Sequence, residues 1–197
     1  MGAFLPSPIA DEALLADVGR EVIAPTLAVL AAEGRPYKGV LYAGMMLTAN
    51  GPKVIEFNCR FGDPETQVVL PLLTSDLLDA FEACVTGTLA ANQPTWADAA
   101  AATVVMASAG YPVISAAPAA IAGLAEAATL GTTVFHAGTI TVGDDILATG
   151  GRVLAVTAVR PTLSEAAEAA HAGVDAITFE GAQRRTDIAR ATAEVRA

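Results

Sequence analysis

Three side chains of one extended segment carry the strongest chemical signal. In Val54-Ile55-Glu56-Phe57-Asn58-Cys59-Arg60-Phe61 polar and apolar residues alternate. Side chains of a strand alternate between its faces, so Glu56, Asn58 and Arg60 are expected on one face at a spacing of about 6.5–7 Å. Ile55, Phe57, Cys59 and Phe61 share the other face, which asks for a core. Glu and Asn oxygens are hard donors suited to Mg²⁺, an ion that keeps several waters and completes its shell with phosphate oxygens. Arg60 offers a planar fork to a phosphate or carboxylate. Together they make a site where a metal-bound polyphosphate meets an anionic partner. A solvated strand face with a Glu–Arg pair is the plainer reading of the alternation alone. Two features weigh against it. The polar face runs on into Gly62-Asp63-Pro64-Glu65-Thr66, and polar residues this dense are out of character in a chain that is 53 % hydrophobic and 16 % charged.

The elements that must position this segment are legible in outline. The opening Met1 to Pro8 reads as a loop, with two prolines and no period. Asp11 or Ser7 caps a helix over roughly 12–33 that Pro25 kinks or divides. Leu14, Leu15, Val18, Val22, Ile23 and Leu27 form its apolar stripe. Lys38 to Thr48 is apolar on both faces, as in a strand covered on each side. Asn50-Gly51-Pro52 then turns the chain into a second strand, Lys53 to Phe61, giving an antiparallel hairpin. Ser75 or Asp76 caps a helix running to about Leu89. A loop-like stretch around Asn92-Gln93-Pro94 marks a domain boundary, dividing the chain into 1–95 and 96–197. Beyond it come β-rich runs at 103–107, 132–137 and 152–159, with turns at Gly143-Asp144-Asp145 and Gly150-Gly151. A helix follows from Thr162 to about Ile177, with Glu165 completing a capping box. The charged tail from Gly181 reads as a short helix. The expected fold class is α+β or α/β.

Composition removes several functions. A net charge of −10 repels a phosphate backbone, which argues against general nucleic-acid binding. Nucleotide is bound only where a metal and local cations offset that repulsion. Cys59 and Cys84 have neither metal-ligand nor redox spacing and read as reduced thiols of a cytoplasmic protein. Ala99 to Ala125 carries no charge, but Gly110-Tyr111-Pro112, Pro118 and Gly123 interrupt it. It reads as strand, turn and linker, not as a membrane span.

Longer runs around the hairpin closely resemble the phosphoribosylamine–glycine ligase family, whose members are ATP-grasp enzymes of purine biosynthesis. The resemblance rests on Tyr37 to Thr48, Gly51 to Asn58 and, most specifically, Arg60-Phe61-Gly62-Asp63-Pro64-Glu65-Thr66-Gln67. Glu-x-Asn alone would say only ATP-grasp. Ser108 to Pro112, Phe135 to Thr139 and Gly150 to Leu154 are similar to the family's C-terminal domain. The resemblance implies that residues 1–95 form the C-terminal lobe of an ATP-grasp fold, an antiparallel sheet with helices, and that 96–197 form a small β-rich domain. It implies ATP with Mg²⁺, or Mn²⁺, as cofactors and glycine and 5-phosphoribosylamine as substrates, joined through a glycyl phosphate. Glu56 and Asn58 match the family's metal ligands. Arg60 is the catalytic candidate, placed to steady the transferring phosphate or the carboxylate. Asp63 and Glu65 are substrate candidates, holding glycine's ammonium or orienting Arg60. Met45 is a candidate for the adenine slot.

The family's N-terminal domain and first ATP-grasp half, with the phosphate-covering Gly-rich loop, have no counterpart here. The expectation is a chain inactive alone, with the missing half supplied in cis or in trans. Lys38 to Thr48 also lacks the acidic metal ligand many ATP-grasp enzymes carry on the neighbouring strand, so either Glu56 bridges two ions or one metal suffices. A non-catalytic module of the same fold, or another carboxylate–amine ligase, are the alternatives. Elsewhere His136 reads as a core histidine, His171 as a surface one, Gly150-Gly151 as a β-turn, and Arg184-Arg185 as solvated.

Overall fold

The computed structural model describes residues 1–114 and 117–190. In chain order it begins with strand β1 (Gly2–Leu5), helix α1 (Glu12–Val18), a π-helical stretch (Gly19–Ile23) and helix α2 (Ala24–Ala32). Strands β2 (Tyr42–Thr48) and β3 (Gly51–Asn58) follow, then α3 (Thr66–Val69), a 3-10 turn (Leu70–Leu72) and α4 (Leu77–Thr86). The remainder is β4 (Ala100–Ala107), β5 (Ala119–Ala120), α5 (Leu124–Thr129), β6 (Thr133–His136), β7 (Thr139–Val142), β8 (Asp145–Ala148), β9 (Arg152–Arg160) and α6 (Leu163–Ala176). Antiparallel sheets with helices make this an α+β protein, as expected from the sequence. Two compact units result: Met1–Pro6 with Asp63–Leu72 and Ala97–Ala197, and Ser7–Gly62 with Leu73–Trp96. One seam lies beside the expected boundary near residue 95; three others divide the chain after Pro6, between Gly62 and Asp63, and between Leu72 and Leu73.

The first unit is built on a four-stranded antiparallel sheet in the order β1-β4-β9-β6. Every residue of β4 is buried. Alternation explains why: Ala100, Ala102, Val104 and Met106 face a core with Val153, Val156, Ala166, Ala170 and Val174, whereas Ala101 packs with Val68 and Leu72. A strand covered on both faces needs an unbroken apolar run, which is why the uncharged stretch from Ala99 reads as it does. Thr103 and Thr157 are cross-strand partners, and their buried hydroxyls satisfy each other at 2.7 Å. Among the described residues no helix is long and apolar enough to cross a membrane. Alanines dominate the buried face of α6, and at Gly173 a Cβ would stand 2.9 Å from Val156 Cγ1 of β9. Thr162 and Glu165 form the expected capping box. A second sheet, β5-β8-β7, turns through Gly143, where φ is 63°.

Several expectations fail in this unit. The opening is not a loop: Gly2 to Leu5 pairs with Val104 to Ala101. Four residues ending at a proline give too little alternation to detect. A Cβ on Gly2 would stand 2.4 Å from the Thr103 carbonyl oxygen, so the strand approaches this closely only with glycine there. His171 is buried, at 4 % exposure, and its Nε2 lies 3.0 Å from the Ile188 carbonyl oxygen. His136 is exposed at the end of β6 beside Thr139. Periodicity could not rank these histidines, because the segment that meets His171 lies 17 residues further on. Residues 181–190 hold turns and a bridge from Gln183 to Ala107 in place of the expected helix; the rest of that tail lies outside the described residues.

In the second unit the Asp11 carboxylate accepts from Leu14 N at 2.8 Å and starts α1. The expected break at Pro25 takes the form of the π-helical stretch, in which Ala24 N donates to Gly19 O. Proline has no N–H and its ring crowds the carbonyl four residues back, so the widened turn makes room. Asp76 caps α4, and Gly87 ends it at φ 79°. The hairpin departs from expectation. β2 starts at Tyr42, and neither strand is covered on both faces: Met46, Leu47, Val54, Ile55 and Phe57 are exposed. A two-stranded ribbon has no further strands to bury its faces.

Candidate functional site

Glu56 and Asn58 meet as alternation requires. Asn58 Nδ2 donates to Glu56 Oε1 at 2.9 Å. The register places Gly44 opposite Glu56 and Met45 opposite Val54, so Ile55 is an extra residue, a bulge immediately before Glu56. Bulges re-aim side chains and accentuate twist. Glu56 and Asn58 both lie on the C-terminal side of this one, where period 2 is restored. No local pattern in the sequence sets Gly44 apart. A Cβ there would stand 3.3 Å from Glu56 Cγ, so glycine leaves the carboxylate stem its room. Pairing with the metal-ligand strand is the signal, and it requires knowing the register.

The donor set suits a hard cation. With the Asn58 amide nitrogen turned to Glu56, Asn58 Oδ1 and Glu56 Oε2 are the oxygens left for an ion. Glu56 is exposed and Asn58 half-buried. Among the described residues no three His, Cys, Asp or Glu side chains gather into a metal cage. Two protein oxygens plus waters and phosphate oxygens is the Mg²⁺ pattern.

Arg60 differs from the expectation. β3 ends at Asn58, and Cys59 and Arg60 form a bend, so strand alternation does not fix the direction of Arg60. The exposed guanidinium donates from Nη1 to the Phe61 carbonyl at 2.7 Å. Phe61 packs on Phe81 of α4, ring centroids 6.2 Å apart and planes at 50°. That contact anchors the segment just beyond Arg60. Met45 is half-buried on β2, one residue from the partner of Glu56.

Asp63 and Glu65 belong to the first unit. Asp63 is engaged on both oxygens: Oδ1 accepts from Gln67 Nε2 at 3.0 Å, and Oδ2 pairs with Arg152 Nη2 at 2.9 Å. Glu65 precedes α3, and its carbonyl accepts from Val68 N and Val69 N at 3.1 and 3.0 Å. In the sequence Arg152 stands out only as part of the run Gly150 to Leu154. Its partner is 89 residues away, a pairing that no local pattern announces. The Gly150-Gly151 link between β8 and β9 has both φ angles positive, at 112° and 68°. Arg184 and Arg185, read as solvated, pair with Asp175 and Asp187.

Residues 1–66 match the family model described as phosphoribosylglycinamide synthetase, ATP-grasp (A) domain, and residues 101–191 match that family's C domain. The chain is 50 % identical over 189 residues to the trifunctional purine biosynthetic protein adenosine-3 of Bos taurus, covering 95 % of this chain and 19 % of that protein. It is 48 % identical over 191 residues to the phosphoribosylamine–glycine ligase of Nostoc sp., covering 95 % of this chain and 45 % of that one. The crystal structure of phosphoribosylamine–glycine ligase from Thermotoga maritima superposes with a TM-score of 0.78 at 29 % identity, over 95 % of this chain and 46 % of that one. N5-carboxyaminoimidazole ribonucleotide synthetase from the same organism shares the fold, with a TM-score of 0.55 at 16 % identity over 90 % of this chain and 45 % of that one. The chain thus spans less than half the length of each of these proteins. Two domain models of one family and near 50 % identity across nearly the whole chain place it: this chain belongs to the phosphoribosylamine–glycine ligase (phosphoribosylglycinamide synthetase) family of ATP-grasp proteins.

Proposed function

We propose that this chain supplies the metal- and phosphate-handling part of an ATP-dependent ligase that joins glycine to 5-phosphoribosylamine. Residues 1–95 serve as the C-terminal lobe of the ATP-grasp unit and 96–197 as the family's C-terminal domain, a division by function that differs from the compact units. The remaining ATP-grasp half acts with it in cis or in trans. The observation that carries the reading is the 2.9 Å contact between Asn58 and Glu56, which sets two hard oxygens side by side on β3.

The reaction has two transfers. A glycine carboxylate oxygen attacks the γ-phosphorus of ATP and ADP leaves. The amine of 5-phosphoribosylamine then attacks the carbonyl carbon of the glycyl phosphate, and inorganic phosphate leaves as the amide forms. Phosphoryl transfer depends on alignment and charge neutralisation. Glu56 and Asn58 hold Mg²⁺, or Mn²⁺, which when bound offsets negative charge on the phosphates. Arg60, released from the Phe61 carbonyl, steadies the transferring group. Asp63 accepts hydrogen bonds from glycine's ammonium, with Glu65 as the second acid, and Met45 contributes apolar surface to adenine. Two free thiols, Cys59 and Cys84, suit a cytoplasmic setting.

The test is a chimera: this chain fused behind the part of the Nostoc ligase that it does not match. The chimera is expected to form glycinamide ribonucleotide from ATP, glycine and 5-phosphoribosylamine. Glu56→Ala should lower its turnover at least about 100-fold, on the scale of lost transition-state electrostatics, with unchanged circular dichroism. An inactive chimera beside an active parent refutes the ligase reading; an unchanged rate in Glu56→Ala removes Glu56 from the mechanism.

A further inference from the structure

The residue that follows the Arg60 bend and its glycine is held at three points. Arg152, the first residue of β9, sends Nη2 to Asp63 Oδ2 at 2.9 Å and Nη1 to the Asp63 backbone carbonyl at 2.8 Å. Gln67 Nε2 takes the other carboxylate oxygen at 3.0 Å. A guanidinium is planar and rigid, so two prongs on one residue fix that residue's backbone and side chain together. The Gln67 arrangement has a cost. Its Oε1 is buried with no hydrogen-bond partner, a penalty of about 1–3 kcal/mol for a buried acceptor. The amide is therefore held toward Asp63 at the expense of its own satisfaction.

Arg152 is itself well braced. Its carbonyl accepts from Gly138 N at 2.9 Å, and a Cβ on Gly138 would stand 2.8 Å from that oxygen. Its side chain is 31 % exposed, while that of Asp63 is 44 % exposed. An exposed ion pair contributes little stability, so a bridge across 89 residues that serves only to strap the fold is weakly motivated. Orientation of a half-open carboxylate is a better account of the two-pronged geometry.

We propose that Arg152 is a positioning residue for the amino-acid substrate. By occupying one edge of the Asp63 carboxylate and its backbone carbonyl, it fixes which Asp63 lone pairs face an incoming ammonium group. The proposal rests on the reading of Asp63 as glycine's ammonium acceptor. It makes a prediction opposite in sign to simple electrostatics. Arg152 opposes a cation, so its removal would tighten ammonium binding if charge alone mattered. If orientation matters, removal weakens it, because Asp63 must then be immobilised by the substrate.

The experiment measures glycine kinetics in the chimera carrying Arg152→Met, Arg152→Lys or Asp63→Asn. Arg152→Met is expected to raise the KM for glycine about tenfold, the scale of freezing one side chain, with kcat within about threefold. Arg152→Lys keeps the charge and loses the fork, so it should raise the KM by an intermediate factor while folding normally. An unchanged or lowered glycine KM in Arg152→Lys and Arg152→Met, beside a raised one in Asp63→Asn, overturns the proposal and leaves the Asp63 reading standing. An unchanged glycine KM in Asp63→Asn overturns the Asp63 reading, and the proposal with it.

Discussion

Gly173 offers a sharp test of how the first unit is packed. It lies on the buried face of α6, where a Cβ would stand 2.8 Å from Thr132 Cγ2, 2.9 Å from Thr132 Oγ1 and 2.9 Å from Val156 Cγ1. Neither neighbour can yield easily. Val156 is fully buried in β9, and Thr132 donates from Oγ1 to the Ala127 carbonyl at 2.7 Å. Gly173→Ala should therefore push the helix off the sheet at Val156 and turn Thr132 away from Ala127. Overpacking costs about 1–3 kcal/mol, and a buried Thr132 hydroxyl stripped of its acceptor about 1–3 kcal/mol, while the Ala127 carbonyl keeps Leu130 N at 3.1 Å. Alanine returns about 1 kcal/mol in helix propensity. The net expectation is a loss of about 1–5 kcal/mol. At tenfold per 1.4 kcal/mol, amides of β4 and β9 that exchange through global opening should exchange at least about 5-fold faster, and up to about 4,000-fold at the top of that range. Hydrogen exchange followed by mass spectrometry reads this segment by segment. Protection that stays constant or rises would mean that α6 moves outward freely, and the close-packing argument would be wrong.

Two further outcomes test the chain as it stands. The 197-residue chain alone should bind MgATP with a Kd above about 1 mM, under about 4 kcal/mol, because an open two-stranded ribbon cannot enclose a nucleotide as binding pockets do; calorimetry giving a micromolar Kd would contradict this. Asp187 is held down at about 2 from an ordinary 3.8, chiefly by its hydrogen bonds from Arg185. Its folded pKa is depressed, so the pair's contribution to stability is complete above about pH 4 and is lost as pH falls toward 2. A carboxyl titration of Asp187 by NMR centred near 3.8 would refute the pairing.

The amino-acid sequence alone carried the Glu56–Asn58 pair, because period 2 is a local property and two residues are too few for it to drift. Caps at Asp11, Asp76 and Thr162 were legible for the same reason: each is a side chain bonding to backbone two or three residues away. What tertiary structure decided lies at long range. The strand at Gly2 to Leu5 exists because β4 offers it an edge. Arg60 leaves the strand because the chain bends after Asn58. His171 is buried because a segment 17 residues later closes over it. Gly44 matters only once register sets it against Glu56, and Arg152 only once β9 begins beside Asp63. Local patterns report which face a side chain takes on its own element. Which neighbour meets that face depends on contacts between residues far apart in the chain, and those are fixed only when the sheets are assembled.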